Sequence, residues 1–149
     1  EYGAAYAKDI VANAQAFAAA LAGEGFDVLA ESRGYSASHQ VLTRHGELDS
    51  GAGAKAAQKL GQAGIITNMN MLPGDTKALA PSGLRLGVQE LTRVGFTTDE
   101  MQDVAKFYAR ALLHDEDPAR IKDDVHQLKS EHQIIRYCFN ENERSGYPE

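Results

Sequence analysis

Tyr6, Ile10, Ala14, Phe17 and Leu21 recur at steps of four, four, three and four, which puts them on one face of a helix over about residues 4–22. Gly23 and Gly25 follow and mark its end. The period then changes. Phe26 to Ala30 is short, apolar and strand-like, and Glu31 to Ala37 reads as a loop. Ser38 to Arg44 alternates, with His39, Val41 and Thr43 on one face and Gln40 and Leu42 on the other, as a half-buried strand does. His45 to Gly53 is polar and glycine-rich, a connection. A second helix is expected from about Ala52 to Ala63, with Ala56 and Leu60 inward and Gly64 as its stop. Ile65 to Thr67 resumes an extended run. Asn68 to Pro81 contains Pro73, Gly74, Asp75 and Pro81 and reads as a long loop, a kind of segment that often carries function. Leu84 to Val88 reads as a strand.

In the last third, Thr97 with Glu100 three residues on is a capping-box signal for a helix to about Leu113. Met101, Val104, Ala105, Tyr108 and Leu112 line its inner face. Asp117 before Pro118 starts another helix, with proline at its first position and Ile121, Val125 and Leu128 inward. Ile134 to Phe139 is short, apolar and strand-like, and the polar tail to Glu149 is expected to be loose. No internal repeat interrupts this order. It predicts an α+β fold, a small antiparallel-rich sheet with helices packed on it.

At 149 residues, with 43% apolar and 24% charged positions, the chain suits one ordinary domain with an extension. No apolar run reaches the roughly eighteen residues of a membrane span, and no secretory signal opens the chain. The net charge of −6, with its basic residues scattered, argues against a nucleic-acid or anionic-membrane surface. Cys138 stands alone, which excludes an intramolecular disulfide framework and a cysteine zinc site, and a reducing, cytoplasmic compartment is expected. The chain opens on Glu1, as a piece of a longer protein would.

Candidate chemistry is sparse. His39 and His45 are six apart, as are His126 and His132, and neither spacing makes a ligand pair on one helical face. They read as surface or partly buried imidazoles. Gly51-Ala52-Gly53 is a weak phosphate signal beside a plain helix start, and Ser82 precedes Gly83 without a nucleophile elbow around it. Asp115, Glu116 and Asp117 read as a solvated turn and an N-cap. Arg85 is different. It lies between Leu84 and Leu86 in a strand and so points away from both, and Gly83 and Gly87 leave room beside it. Such a guanidinium can hold a carboxylate through two parallel hydrogen bonds. The competing reading is an arginine paired with an internal Asp or Glu.

The stretch from Ile65 to Phe96 carries Asn68-Met69-Asn70, Pro73, Ser82-Gly83-Leu84-Arg85-Leu86-Gly87 and Thr92-Arg93-Val94-Gly95-Phe96. With Asn13-Ala14, Gly25-Phe26 and His39 upstream, it resembles the C-terminal small domain of the serine hydroxymethyltransferase family, over about residues 2–113. Gln89-Glu90-Leu91-Thr92 looks most like the archaeal-type branch and the related L-threonine transaldolases. The resemblance implies residues 1–113 as the small domain of a pyridoxal-phosphate enzyme of the aspartate-aminotransferase fold type. It leaves 114–149 as a helical extension with a short strand-like segment and tail.

The resemblance also implies that Arg85, with Ser82, binds the substrate carboxylate, that Asn70 lies on the folate or acceptor side, and that the enzyme is a homodimer. Met69 stands where the family has a lysine, and Lys77-Ala78-Leu79-Ala80 replaces an aromatic-containing loop. No lysine here follows the threonine-rich run and histidine that precede the family's Schiff-base lysine. The cofactor is therefore expected in a large domain, as a preceding part of the same protein or a separate chain. The expected reaction is cleavage or transfer at the α–β bond of serine or threonine, with glycine as the other amino acid. Tetrahydrofolate is one expected second ligand. A folate-independent transaldolase and a non-catalytic interaction module that keeps the fold are the alternatives.

Overall fold

A computed structural model describes residues 2–137. In chain order the elements are α1 (Gly3–Gly23), β1 (Asp27–Val28), a 3-10 turn (Glu31–Arg33), β2 (Gln40–Arg44), α2 (Ala52–Gln62), β3 (Asn68–Asn70), β4 (Gly83–Gly87), α3 (Gln89–Arg93), α4 (Glu100–Leu112) and α5 (Pro118–Ser130). The strands form one antiparallel sheet in the order β1-β2-β4-β3, and with the helices they make the expected α+β fold.

Alternation decides which side of the sheet is buried. Val41 and Thr43 on β2 and Leu84 and Leu86 on β4 turn inward and are buried. They join Phe17 and Leu21 of α1, Leu60 of α2, Met101 and Tyr108 of α4 and Ile121 of α5 in one core. Removing each aliphatic or phenyl side chain among them from water is worth about 1.5–3 kcal/mol, while Thr43, the polar one on β2, pairs its hydroxyl with His45 at 2.9 Å. Phe17 and Tyr108 meet edge to face at 5.5 Å. The helix starts follow their local signals to different extents. Asp117 Oδ1 accepts the Ala119 N–H at 3.0 Å, whereas Thr97 and Glu100 make half a capping box: the Glu100 carboxylate accepts the Thr97 N–H and hydroxyl, both at 2.6 Å, but α4 starts at Glu100 and Asp99, its N-cap, makes no side-chain cap.

Four expectations are corrected. Ile65 to Thr67 is not a strand: the Ile65 N–H is spent on the Leu60 carbonyl at the end of α2, and Ile66 is 95% exposed. The strand is Asn68–Asn70, inside the segment expected to be loop, paired with β4. Gln89–Arg93 forms a helix that the pattern did not predict, closed by the Thr92 hydroxyl donating to the Val88 carbonyl at 2.9 Å. Residues 134–137 make no strand. Arg136 donates its N–H to the Arg93 carbonyl at 2.8 Å, and Tyr137 stacks on Tyr6 and donates to Asp9 Oδ2 at 2.5 Å. Cys138, Phe139 and the expected loose tail lie outside the described residues.

Asp115 and Glu116 are not merely solvated. Asp115 pairs with Lys59 at 2.6 Å, and Arg110 forks onto Glu116 at 2.8 and 2.7 Å while reaching Asp124 at 2.6 Å. That network ties the turn between α4 and α5. Among the described residues no helix is long and apolar enough to cross a membrane.

Candidate substrate-binding face

Because Leu84 and Leu86 point into the core, Arg85 stands on the opposite, open face of β4 and is exposed. Register places Leu42 of β2 directly opposite it on one flank and Asn68 of β3 on the other. Among the described residues no hydrogen bond or ion pair engages the Arg85 guanidinium, so the competing reading, an internal Asp or Glu partner, does not hold for them. A groove of about 1050 Å³ runs along the β4 edge; Asn68, Arg85 and Gln89 border it, while most of its lining, Phe17, Leu86, Phe96 and Tyr108 among it, belongs to the core side of the sheet.

The two glycines that frame Arg85 make room for this chain's own side chains. A Cβ on Gly83 would run into Leu72, and one on Gly87 would lie 2.6 Å from Gln89 Oε1. Leu72 thus covers one end of the face and the Gln89 amide the other. Gln89 is itself held at its carbonyl by the Tyr6 hydroxyl at 2.7 Å.

Ser82 lies elsewhere. It is fully buried, and its N–H and hydroxyl both donate to Asp75 Oδ2, at 2.9 and 2.8 Å. The same oxygen accepts the Leu72 N–H at 2.8 Å, while Asp75 Oδ1 accepts the Asp49 N–H at 2.7 Å. Asp49 in turn accepts the N–H groups of Thr76 and Lys77, each at 2.7 Å, and the Thr76 hydroxyl at 2.6 Å. Two carboxylates thereby knot the loop 71–82 to the loop 45–51. Burial alone would raise the Asp75 pKa. The converging N–H groups of Leu72, Ser82 and Asp49 and the Ser82 hydroxyl outweigh it and hold the carboxyl well below the usual range. No sequence pattern announced this knot, because Asp49 and Asp75 are 26 residues apart.

Asn70, at the end of β3 opposite Gly83, turns its Nδ2 back onto the Met71 carbonyl at 2.6 Å. The Thr92-to-Phe96 segment is anchored by buried Asn13, whose Nδ2 donates to Thr92 Oγ1 and to the Phe96 carbonyl, both at 2.9 Å. The glycines ahead of α2 make no phosphate cradle: Gly51 N–H is taken by Ala80 and Gly53 N–H by Pro81. Gly53 also packs so closely on the Gly83 backbone that no Cβ fits. Of the histidines, His45 is half-buried with Nε2 2.9 Å from Thr43 Oγ1, and burial lowers its pKa. Among the described residues no group of His, Cys, Asp and Glu is arranged to hold a metal.

Nor do the residues present fit a pyridoxal site. Lys129 is the groove's one lining lysine among the described residues, and it is exposed at the end of α5. A Schiff-base lysine needs a shielded setting.

The family model described as serine hydroxymethyltransferase matches residues 1–108. The serine hydroxymethyltransferase of Pyrococcus abyssi is 51% identical over 142 residues, covering 94% of this chain and 33% of that protein. That of Thermoplasma acidophilum is 42% identical over 149 residues, covering 99% and 34%. Among solved structures, the crystal structure of L-threonine transaldolase from Pseudomonas fluorescens in the internal aldimine state superposes with a TM-score of 0.78 at 30% identity. It covers 88% of this chain and 29% of that one. The chain therefore spans about a third of the length of the curated relatives it matches.

Proposed function

The chain belongs to the serine hydroxymethyltransferase family, and from that premise we propose that it is the substrate-clamping C-terminal part of an enzyme acting on β-hydroxy amino acids. The reaction is cleavage or transfer at the α–β bond of serine or threonine, with glycine as the other amino acid. The observation that carries the reading is Arg85: exposed on the open face of β4 and unpaired among the described residues. Pyridoxal phosphate, held by the large domain of the intact enzyme, supplies the electron sink for the breaking bond. Arg85 takes the substrate carboxylate in two parallel N–H···O bonds and so fixes which bond at the α-carbon faces the cofactor. Ser82 acts one step back, by fastening the start of β4 to Asp75. We assign residues 1–113 to the small domain and 114–149 to an extension. The archaeal relatives match along it, beyond the reach of the family model. The intact enzyme is read as a cytoplasmic homodimer.

Two acceptors compete. Asn70 favours tetrahydrofolate. The transaldolase likeness, with Met69 in place of the family's lysine, favours an aldehyde and no folate. The experiment is to assay the full-length protein for glycine release from serine and threonine, with tetrahydrofolate or an aldehyde supplied. Activity with at least one acceptor is expected, and none with either contradicts the proposal. Asn70→Ala should change acceptor or folate dependence more than threonine cleavage. Equal losses in both would reduce Asn70 to a loop cap.

A further inference from the structure

We propose that Asn68 is a second ligand to the substrate carboxylate, sharing with Arg85 the acceptor directions of that group and setting the preference for it. The proposal rests on the reading of Arg85 given above. It follows from what the antiparallel register puts around the guanidinium. Residues directly opposite in such a sheet have Cβ atoms roughly 4.5–5.5 Å apart. Opposite Arg85 these are Leu42, which has no polar atom to offer, and Asn68. The next positions on the same face are Gly83 and Gly87 of β4, Gln40 and Arg44 of β2, and Asn70 of β3. Arg44 is bridged to Asp27 at 3.2 Å, and the Asn70 amide is committed to the Met71 carbonyl. Gln40 stands opposite Gly87, a diagonal neighbour at roughly 7–8 Å. Among the described residues Asn68 is thus a side-chain amide with no other hydrogen-bond partner directly beside the fork, and it borders the same groove.

The chemistry requires such a donor. An ionised carboxylate has about four acceptor directions, and an arginine fork fills two. A direction that loses its water without gaining a donor carries a desolvation cost. The Asn68 Nδ2 fills one without adding charge. A carboxylate ligand is then favoured over its amide by both residues together.

The test uses the full-length protein, titrated calorimetrically with serine and with serinamide. Asn68→Asp should lower serine affinity at least about tenfold, because its carboxylate claims the guanidinium and repels the ligand. It should leave serinamide affinity no worse than in the wild type, and the melting temperature unchanged or higher. Asn68→Ala should show a smaller loss, again confined to serine. Wild-type serine affinity in both Asn68 variants, with Arg85→Ala weakened, overturns the role of Asn68 and leaves Arg85 standing. Equal loss of serine and serinamide in Asn68→Asp also overturns it. Wild-type serine affinity in Arg85→Ala overturns the reading of Arg85 and this inference with it.

Discussion

The loop 71–82 and the strand it leads into lie side by side and treat polar groups in opposite ways. In the loop, Asp75 accepts three N–H groups and a hydroxyl, and Asp49 accepts two N–H groups and a hydroxyl. Three residues beyond Ser82, the Arg85 guanidinium stands exposed with no partner among the described residues. Buried polar groups left unmade are costly, so a saturated knot next to a free charge marks a division of labour. The knot fastens the start of the strand, and the strand presents an arginine that, on the proposed reading, a substrate carboxylate completes. A long loop can be tightly fastened: loop 71–82 is tied by Asp75 and Asp49.

That division can be attacked from either side, beginning with the scaffold. Gly53→Ala should have the largest effect, because its Cβ would overlap the Gly83 backbone and neither α2 nor β4 can yield. Overpacking of this kind costs about 3 kcal/mol, so soluble yield and melting temperature of the full-length protein should both fall steeply. Near-normal melting would show the α2–β4 contact to be softer than drawn.

Asp75→Asn should also lower the melting temperature, with a pH signature. The folded carboxyl titrates below its unfolded value of about 3.9, so its contribution is present above about pH 4 and is lost as the pH falls further. The gap between wild type and variant should therefore narrow in acid, and a gap independent of pH would deny the charged knot. Asn13→Ala should cost about 2 kcal/mol, since it strips a buried donor from Thr92 and the Phe96 carbonyl. A change near zero on thermal melting would mean that water replaces the amide.

Much of the fold was legible because its signals are local. The face of α1 and the Asp117–Pro118 start each lie within a few residues of what they organise, and the structure keeps them; of the Thr97–Glu100 box it keeps the reach of Glu100 back to the Thr97 N–H. β3 was hidden because Asn68-Met69-Asn70 is a three-residue edge strand whose polar residues imitate a loop. α3 spans five residues, too few to show a period. At the site, strand alternation alone placed Arg85 on the open face. What it could not show is that Leu72 and Gln89 occupy the room beside Gly83 and Gly87, or that Ser82 turns to Asp75. Those facts depend on partners brought together by the loop's closure.

The smallest expected effect on stability belongs to the residue expected to matter most for binding. Arg85 is exposed and unpaired among the described residues, so Arg85→Ala should leave the melting temperature of the full-length protein within the shift expected for about 0.5 kcal/mol. The same variant should bind serine at least about tenfold more weakly, the loss of a charge-assisted contact worth about 1.5–3 kcal/mol. Arg85→Lys should recover little, because an ammonium does not reproduce the planar fork. Calorimetric titration of serine into the wild-type and Arg85→Ala proteins, with melting recorded on the same samples, tests the account most directly. Weak binding at unchanged stability is the predicted result, and unchanged binding with lost stability would make Arg85 a structural residue and contradict it.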